Sequence, residues 1–155
     1  MNADDNDSTD DRADGGAEER FTVTIGLHED FIVARAAGEL DYASAGLLHR
    51  QIKDAWASTQ SAGLVVDLSG LTFCDSMGVG ILVLLLRQSR EQHSTLVLSA
   101  IPHHLERILT ITGLRTAFQA EASVEEAIQV VQAAGIQATP RPAAPPQPPG
   151  AAEPG

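Results

Sequence analysis

Apolar and polar residues alternate along the first regular part of the chain. Apolar side chains occupy every second position of residues 21–27, and residues 31–38 show a similar alternation. This period of two is typical of half-buried strands, and the polar residues 28–30 between the two segments predict a turn. The two segments should therefore pair as an antiparallel hairpin at the edge of a sheet.

The hydrophobic period changes after this hairpin. Apolar residues then recur at helical spacing and form one face, which comprises Leu47, Leu48, Ile52, Ala55 and Trp56. Such a stripe predicts an amphipathic helix that packs against a core. Residues 63–69 follow as an apolar run that predicts a buried strand. We expect a loop over residues 69–74 and a second, strongly apolar helix that has Ser76 in its first turn.

The rest of the chain repeats the alternation of strands and helices. The predicted elements are a strand over residues 94–100, a helix over about 103–112, a weak edge strand over 116–120 and a helix over 123–134. Ser123 and Glu126 have capping-box spacing at the start of the last helix. Strands interleaved with helices predict an α/β fold, with a small mixed sheet in which parallel strands follow the hairpin, and about four helices. The pattern does not show how the second face of the sheet is covered.

Two segments of biased composition flank this patterned region. Residues 1–19 contain eight acidic residues, one arginine and almost nothing apolar, and residues 139–155 are rich in proline and alanine. Neither segment can bury enough apolar surface to offset the entropy of ordering it, so both are predicted to be disordered. The sequence therefore predicts one folded domain over residues 20–138.

Charge and cysteine content exclude several classes of function. The net charge of −11 argues against a nucleic-acid partner, which needs a basic surface. The single cysteine, Cys74, allows no internal disulfide and leaves no thiol cluster for a metal, so no metal or cofactor is expected. No apolar run approaches the roughly 20 residues of a membrane span, and no signal peptide opens the chain. A cytoplasmic location is expected.

The residues from Asp75 to Gly80 combine a serine with two glycines at a helix start. Each glycine costs a helix about 1 kcal/mol relative to alanine, so the weak start needs a reason. The first amides of a helix have no internal partners and accommodate an anion, so a phosphate on Ser76 would be tolerated there. Gly78 and Gly80 would leave the adjoining surface open to a partner. The alternative is that Asp75 or Ser76 only caps the helix and the glycines only allow tight packing. We interpret Cys74 as a small buried thiol beside the end of a strand.

An enzyme that uses Ser76 as a nucleophile is a further alternative. Its base would be one of the histidines, namely His49, His93, His103 or His104. A nucleophile elbow requires a glycine two residues before the serine, and Cys74 stands there. No motif places a histidine beside Ser76 either. We therefore expect that the protein is not an enzyme.

Two motifs together resemble a known family. "GELD" at residues 38–41 follows the second predicted strand, and "VVDLSGLTFCDSMGVGIL" at residues 65–82 follows about two dozen residues later. Their order and spacing resemble those of the STAS domains of bacterial anti-sigma factor antagonists, and the resemblance covers about residues 20–135. It implies a small α/β domain that binds an anti-sigma factor with a GHKL-type serine kinase domain and thereby frees a sigma factor.

The resemblance also assigns roles to individual residues. It implies that Ser76 is the phosphorylated residue, that the kinase uses ATP and Mg²⁺, that a PP2C-type phosphatase removes the phosphate, and that the unphosphorylated form binds. Asp41 and Asp75 match acidic positions near the phosphoserine, although Asp41 could instead cap the helix that contains Leu47. Met77 replaces a common Ser or Thr and makes the local surface more apolar. The partner surface would then comprise Asp41, Asp75, Ser76, Met77, Gly78 and Gly80. The alternative is a STAS scaffold, or a nucleotide- or lipid-transport-related accessory subunit, without a phosphorylation switch.

Overall fold

The predicted hairpin forms one edge of the sheet. The computed structural model describes residues 20–59 and 63–138, and in it strand β1 (Phe21–Leu27) pairs antiparallel with strand β2 (Phe31–Leu40). The turn is closed by the His28 amide, which donates to the Phe31 carbonyl at 2.9 Å. The His28 ring also stacks on the Phe31 ring, with centroids 4.4 Å apart. The alternation of residues 21–27 and 31–38 therefore predicted this pairing correctly.

Helices and parallel strands alternate after the hairpin. In chain order they are α1 (Ala45–Ser58), β3 (Gly63–Cys74), α2 (Ser76–Glu91), β4 (Leu96–Ser99), α3 (His103–Ile111), a 3₁₀ turn (Arg115–Ala117), β5 (Gln119–Glu121) and α4 (Val124–Ala138). The sheet has the order β1-β2-β3-β4-β5, and every pair after the first is parallel. This is the predicted mixed α/β sheet with four helices.

The two faces of the sheet are covered unequally. Helices α1, α2 and α3 pack on one face, where Leu48, Ile52, Leu82, Leu85, Leu105 and Leu109 belong to one buried cluster. Helix α4 covers the other face, since Ala127 and Val131 pack with Val65 and Val97 in a second, smaller cluster. The last helix is thus the cover of the second face, which the sequence pattern did not show.

Strand β3 corrects one prediction. Residues 69–74 were expected to form a loop, but β3 continues through them to Cys74. Its register against β2 shifts twice, between Arg35 and Ala37 and again between Gly38 and Glu39, and at both places β3 carries one extra residue. Such bulges break the strict alternation of a strand, so this part of β3 lacks a strand pattern in the sequence.

Gly38, the first residue of the "GELD" motif, is required by the backbone. Its φ is +100°, a conformation that other residues rarely adopt. A Cβ at this position would lie 1.8 Å from the carbonyl oxygen of Arg20. The glycine therefore lets the chain at the start of β1 pass directly beside β2.

Smaller differences concern the ends of elements. Strand β2 extends two residues past the predicted end, and β4 is shorter than predicted. The predicted edge strand over residues 116–120 is divided between the 3₁₀ turn and β5, because only the last part pairs with β4. Residues 1–19 and 139–155, predicted to be disordered, lie outside the described residues.

Candidate functional site

Ser76 lies at the junction between the central strand and the most apolar helix. Strand β3 ends at Cys74, Asp75 is the N-cap, and Ser76 is the first residue of α2. The Ser76 side chain is exposed, whereas Val79, one turn further along α2, is buried. The hydroxyl is therefore accessible from solvent while the helix that carries it is anchored in the core.

The Asp75 carboxylate joins two segments of the chain. Its Oδ1 accepts from the Gly78 amide at 2.9 Å, which caps α2. Its Oδ2 accepts from the Tyr42 amide at 3.3 Å, and the Asp75 amide donates to the Leu40 carbonyl at 3.2 Å. The capping role weighed for Asp75 is therefore present, and the same side chain also fixes the segment that follows β2.

The Asp41 carboxylate shapes the turn between β2 and α1. Its Oδ1 accepts from the amides of Ala43, at 3.0 Å, and Ser44, at 3.2 Å. The N-cap of α1 is Ser44 and not Asp41, so Asp41 orders the turn before the helix without capping the helix itself. Its Oδ2 lies 3.9 Å from Nη2 of Arg20. Asp41 and Asp75 both lie where β2 and β3 end, since the Tyr42 amide that follows Asp41 donates to Asp75.

Gly78 and Gly80 have different environments, and this corrects the expectation that both open the surface to a partner. Gly78 is buried, and a Cβ there would lie 2.6 Å from the Leu40 carbonyl oxygen and 2.7 Å from Sγ of Cys74. Gly78 therefore allows α2 to pack closely against the end of β2. Gly80 is exposed, and a Cβ there would meet nothing within 4 Å, so only Gly80 leaves surface free.

Three exposed large apolar residues lie in the segments that meet at the start of α2. Met77 is 56% exposed, as its position in the sequence suggested. Tyr42 is 77% exposed and Phe73 is 48% exposed, and neither residue was predicted from the sequence to lie at the site. Tyr42 follows "GELD" directly, and this adjacency to a motif was the only signal in the sequence that could have singled it out.

Comparison with known proteins identifies the family. The sequence model of the STAS domain matches residues 23–127. The chain belongs to the STAS domain family. This chain is 29% identical over 109 residues to the anti-sigma-B factor antagonist of Bacillus subtilis. The alignment covers 70% of this chain and 98% of that protein.

Solved structures show the same fold. An anti-sigma factor antagonist from Mycobacterium paratuberculosis is 26% identical, with a TM-score of 0.64, and the match covers 72% of this chain and 94% of that one. SpoIIAA, a Bacillus cell fate determinant solved in its phosphorylated form, is 22% identical with a TM-score of 0.58, and the match covers 71% and 99% of the two chains. The mixed sheet and four helices of this protein are thus those of the STAS fold.

Cys74 of this STAS domain is a structural residue. The thiol is buried at the end of β3 and donates to the Asp75 carbonyl at 3.6 Å. Burial, with a smaller contribution from the neighbouring Asp75 charge, raises the pKa of Cys74 to about 12. Since the thiolate is the reactive form of cysteine, the native thiol should be inert.

We expect Cys74 to be alkylated very slowly in the folded protein. With its pKa raised from 9.0 to about 12, the thiolate fraction at pH 8 falls about a thousandfold, and alkylation by iodoacetamide should slow by at least that factor. Mass spectrometry in buffer and in about 6 M guanidinium chloride measures both rates, and the unfolded chain, which has the same single thiol, is the control. Equal rates would contradict the burial of the thiol.

Two of the candidate histidines form contacts with residues other than Ser76. His49 Nε2 lies 3.1 Å from Gln88 Oε1, where it links α1 and α2, and His104 Nε2 lies 3.4 Å from the Leu71 carbonyl. Among the described residues no hydrogen bond joins a histidine to Ser76. The anti-sigma factor antagonists of this family are of the non-enzymatic kind, and Ser76 is an exposed serine that directly follows the capping Asp75.

The described segments hold neither a cluster of metal-ligating side chains nor a helix that could cross a membrane. In residues 20–59 and 63–138, no three His, Cys, Asp or Glu side chains are grouped so as to hold a metal ion. No helix of these segments has the length and apolarity that crossing a bilayer requires.

Proposed function

We propose that this STAS protein is an anti-sigma factor antagonist. Its unphosphorylated form would bind an anti-sigma factor that carries a GHKL-type serine kinase domain, and a sigma factor would be released. The observation that carries the proposal is the exposed Ser76 directly after the capping Asp75, in a domain that aligns with 98% of the B. subtilis anti-sigma-B factor antagonist. Phosphorylation of Ser76 by the kinase would end binding, and a PP2C-type phosphatase would restore it.

The position of Ser76 suits a reversible phosphate. The residue is at the first position of a 16-residue helix, where the helix dipole is positive and free amides face outward. A phosphate can therefore be added without unfolding the helix that carries it. The reaction consumes ATP, so the proposal also places the protein in the cytoplasm.

The proposed partner surface follows from exposure. The surface lies where strands β2 and β3 end and helix α2 begins. It comprises Asp41, Asp75, Ser76, Met77 and Gly80. Gly78 is buried beneath this surface, where the absence of a side chain lets α2 approach Leu40 closely. We therefore expect a phosphate on Ser76 to change the exposed surface while leaving the contact between α2 and β2 in place.

Phosphorylation by a purified kinase tests the proposal. Incubation with the GHKL-type anti-sigma factors of the host, each with ATP and Mg²⁺, should add one phosphate, about 80 Da by intact mass. Ser76→Ala should gain nothing. Ser69→Ala, which removes another exposed serine of the same stretch, should be phosphorylated like the wild type. A wild-type chain that stays unmodified with every kinase would favour the scaffold alternative.

A further inference from the structure

Most of the exposed large apolar residues in the described segments lie close to the start of α2. Five large hydrophobic residues are exposed in this part of the chain: Leu27, Tyr42, Phe73, Met77 and Ile111. Three of them lie in the segments that meet at the start of α2, and we call Tyr42, Phe73 and Met77 the Ser76 patch. Phe73 and Met77 lie two residues to either side of Asp75, and the Tyr42 amide donates to the Asp75 carboxylate. All three residues therefore lie at the end of the sheet where β2 and β3 stop and α2 begins.

Acidic groups surround the Ser76 patch. Asp75 and Asp41 lie within the segments that carry it, and Glu39 is paired with the same arginine as Asp41. That arginine is Arg20, whose Nε lies 3.4 Å from Glu39 Oε1. Arg20 directly follows residues 1–19, which carry a net charge of −7. The acidic segment therefore joins the domain at this same edge.

We propose that the Ser76 patch binds a protein face with an apolar centre and a basic rim, and that Tyr42 and Phe73 contribute most of the affinity. The inference rests on the proposed function, and the occupant is the anti-sigma factor. Aromatic side chains supply a large contact area at low entropic cost, which is why they dominate the energetics of many interfaces. The acidic surroundings favour a basic rim by charge complementarity.

The same charges argue against a second copy of this chain as the occupant. A twofold interface would bring two sets of Glu39, Asp41 and Asp75 together. Like charges placed opposite each other weaken association. The apolar residues of the patch are thus exposed for a partner of different charge.

Alanine substitution at matched exposed positions tests the contact surface. Tyr42→Ala and Phe73→Ala should each raise the dissociation constant for the purified anti-sigma factor at least tenfold. The controls are Leu27→Ala and Ile111→Ala, since these side chains are 52% and 76% exposed elsewhere on the domain, and their affinity should stay within about twofold of the wild type. Tyr42 is 77% exposed, so its variant should melt like the wild type and any loss is one of contact.

The salt dependence tests the charge of the partner. The association rate of the wild type should fall at least tenfold between about 50 and 300 mM NaCl, because attraction between opposite charges is screened. A full-length variant with Asp4, Asp5, Asp7, Asp10 and Asp11 replaced by Asn should associate more slowly at low salt and depend less on salt. An association rate that is independent of salt would overturn the basic rim.

The two proposals can fail separately. If the wild type binds an anti-sigma factor but Tyr42→Ala and Phe73→Ala bind as the controls do, this inference is wrong and the proposed function stands. If the wild type binds none of the host's anti-sigma factors, both are wrong. A wild-type dimer in sedimentation velocity that Tyr42→Ala dissociates would assign the patch to a second copy and overturn the inference.

Discussion

Phosphorylation of Ser76 should weaken binding to the anti-sigma factor about a hundredfold while the melting temperature stays within a few degrees. A phosphate brings about −1.5 to −2 charges at neutral pH, and the adjacent Asp75 carboxylate already occupies the Gly78 and Tyr42 amides. The partner would have to desolvate a dianion beside a second negative charge. A cost of about 3 kcal/mol corresponds to roughly a hundredfold in affinity.

Calorimetric titration of purified forms measures this effect. Ser76→Ala should bind persistently and resist phosphorylation, while Ser76→Asp should bind weakly and melt near the wild type. Gln129→Glu is the matched control, because it adds one negative charge to an exposed position of α4, on the opposite face of the sheet from α2. Equal dissociation constants for the phosphorylated and unmodified forms would exclude the switch, and early melting of the phosphorylated form would attribute its weaker binding to unfolding.

The hydrophobic period correctly predicted the elements that have one buried side and one exposed side along their whole length. Residues 21–27 alternate because one side of β1 packs on α1 and the other faces solvent, so the period alone indicates a strand. Leu48, Ile52 and Trp56 of α1 are all buried, as their shared helical face predicted. In such segments the burial of each side chain follows from its position in the strand or helix alone, and the order of the segments then predicts the fold class.

The hydrophobic period did not predict the features that depend on contacts with other segments. Two bulges let β3 continue to Cys74, and a bulge depends on pairing with β2, which the local sequence does not encode. The cover of the second face was also missed, because the buried face of α4 is narrow and rests mainly on Ala127 and Val131. Both features depend on contacts between segments distant in the chain.

The candidate site was predictable in its chemistry and not in its surroundings. Asp75 and Ser76 could be located because a cap residue and a helix start have a local signature. The direction of Gly78, toward Leu40 and away from solvent, depends on how α2 crosses the end of β2. The exposure of Tyr42 and Phe73 likewise depends on which neighbours the fold brings near them, so an aromatic residue in a sequence does not by itself indicate an interface.

The two glycines of α2 should respond in opposite directions to substitution by alanine. Gly78→Ala should lower the free energy of unfolding by about 1–3 kcal/mol, since the new methyl group would overlap the Leu40 carbonyl oxygen, and the backbone cannot yield cheaply. Gly80→Ala should raise it by up to about 1 kcal/mol, because the methyl group meets nothing and alanine favours the helix.

Urea denaturation of the two variants, followed by circular dichroism, measures the difference, and titration with the anti-sigma factor separates stability from binding. Each variant is the control for the other, since both add one methyl group to the same helix. If Gly80 lies in the partner surface, Gly80→Ala should bind more weakly although it unfolds at higher urea. Gly78→Ala should bind normally in the fraction that remains folded, because its side chain faces the core. A Gly78→Ala protein as stable as the wild type would contradict the close packing of α2 against β2, and would return Gly78 to the candidates for direct contact.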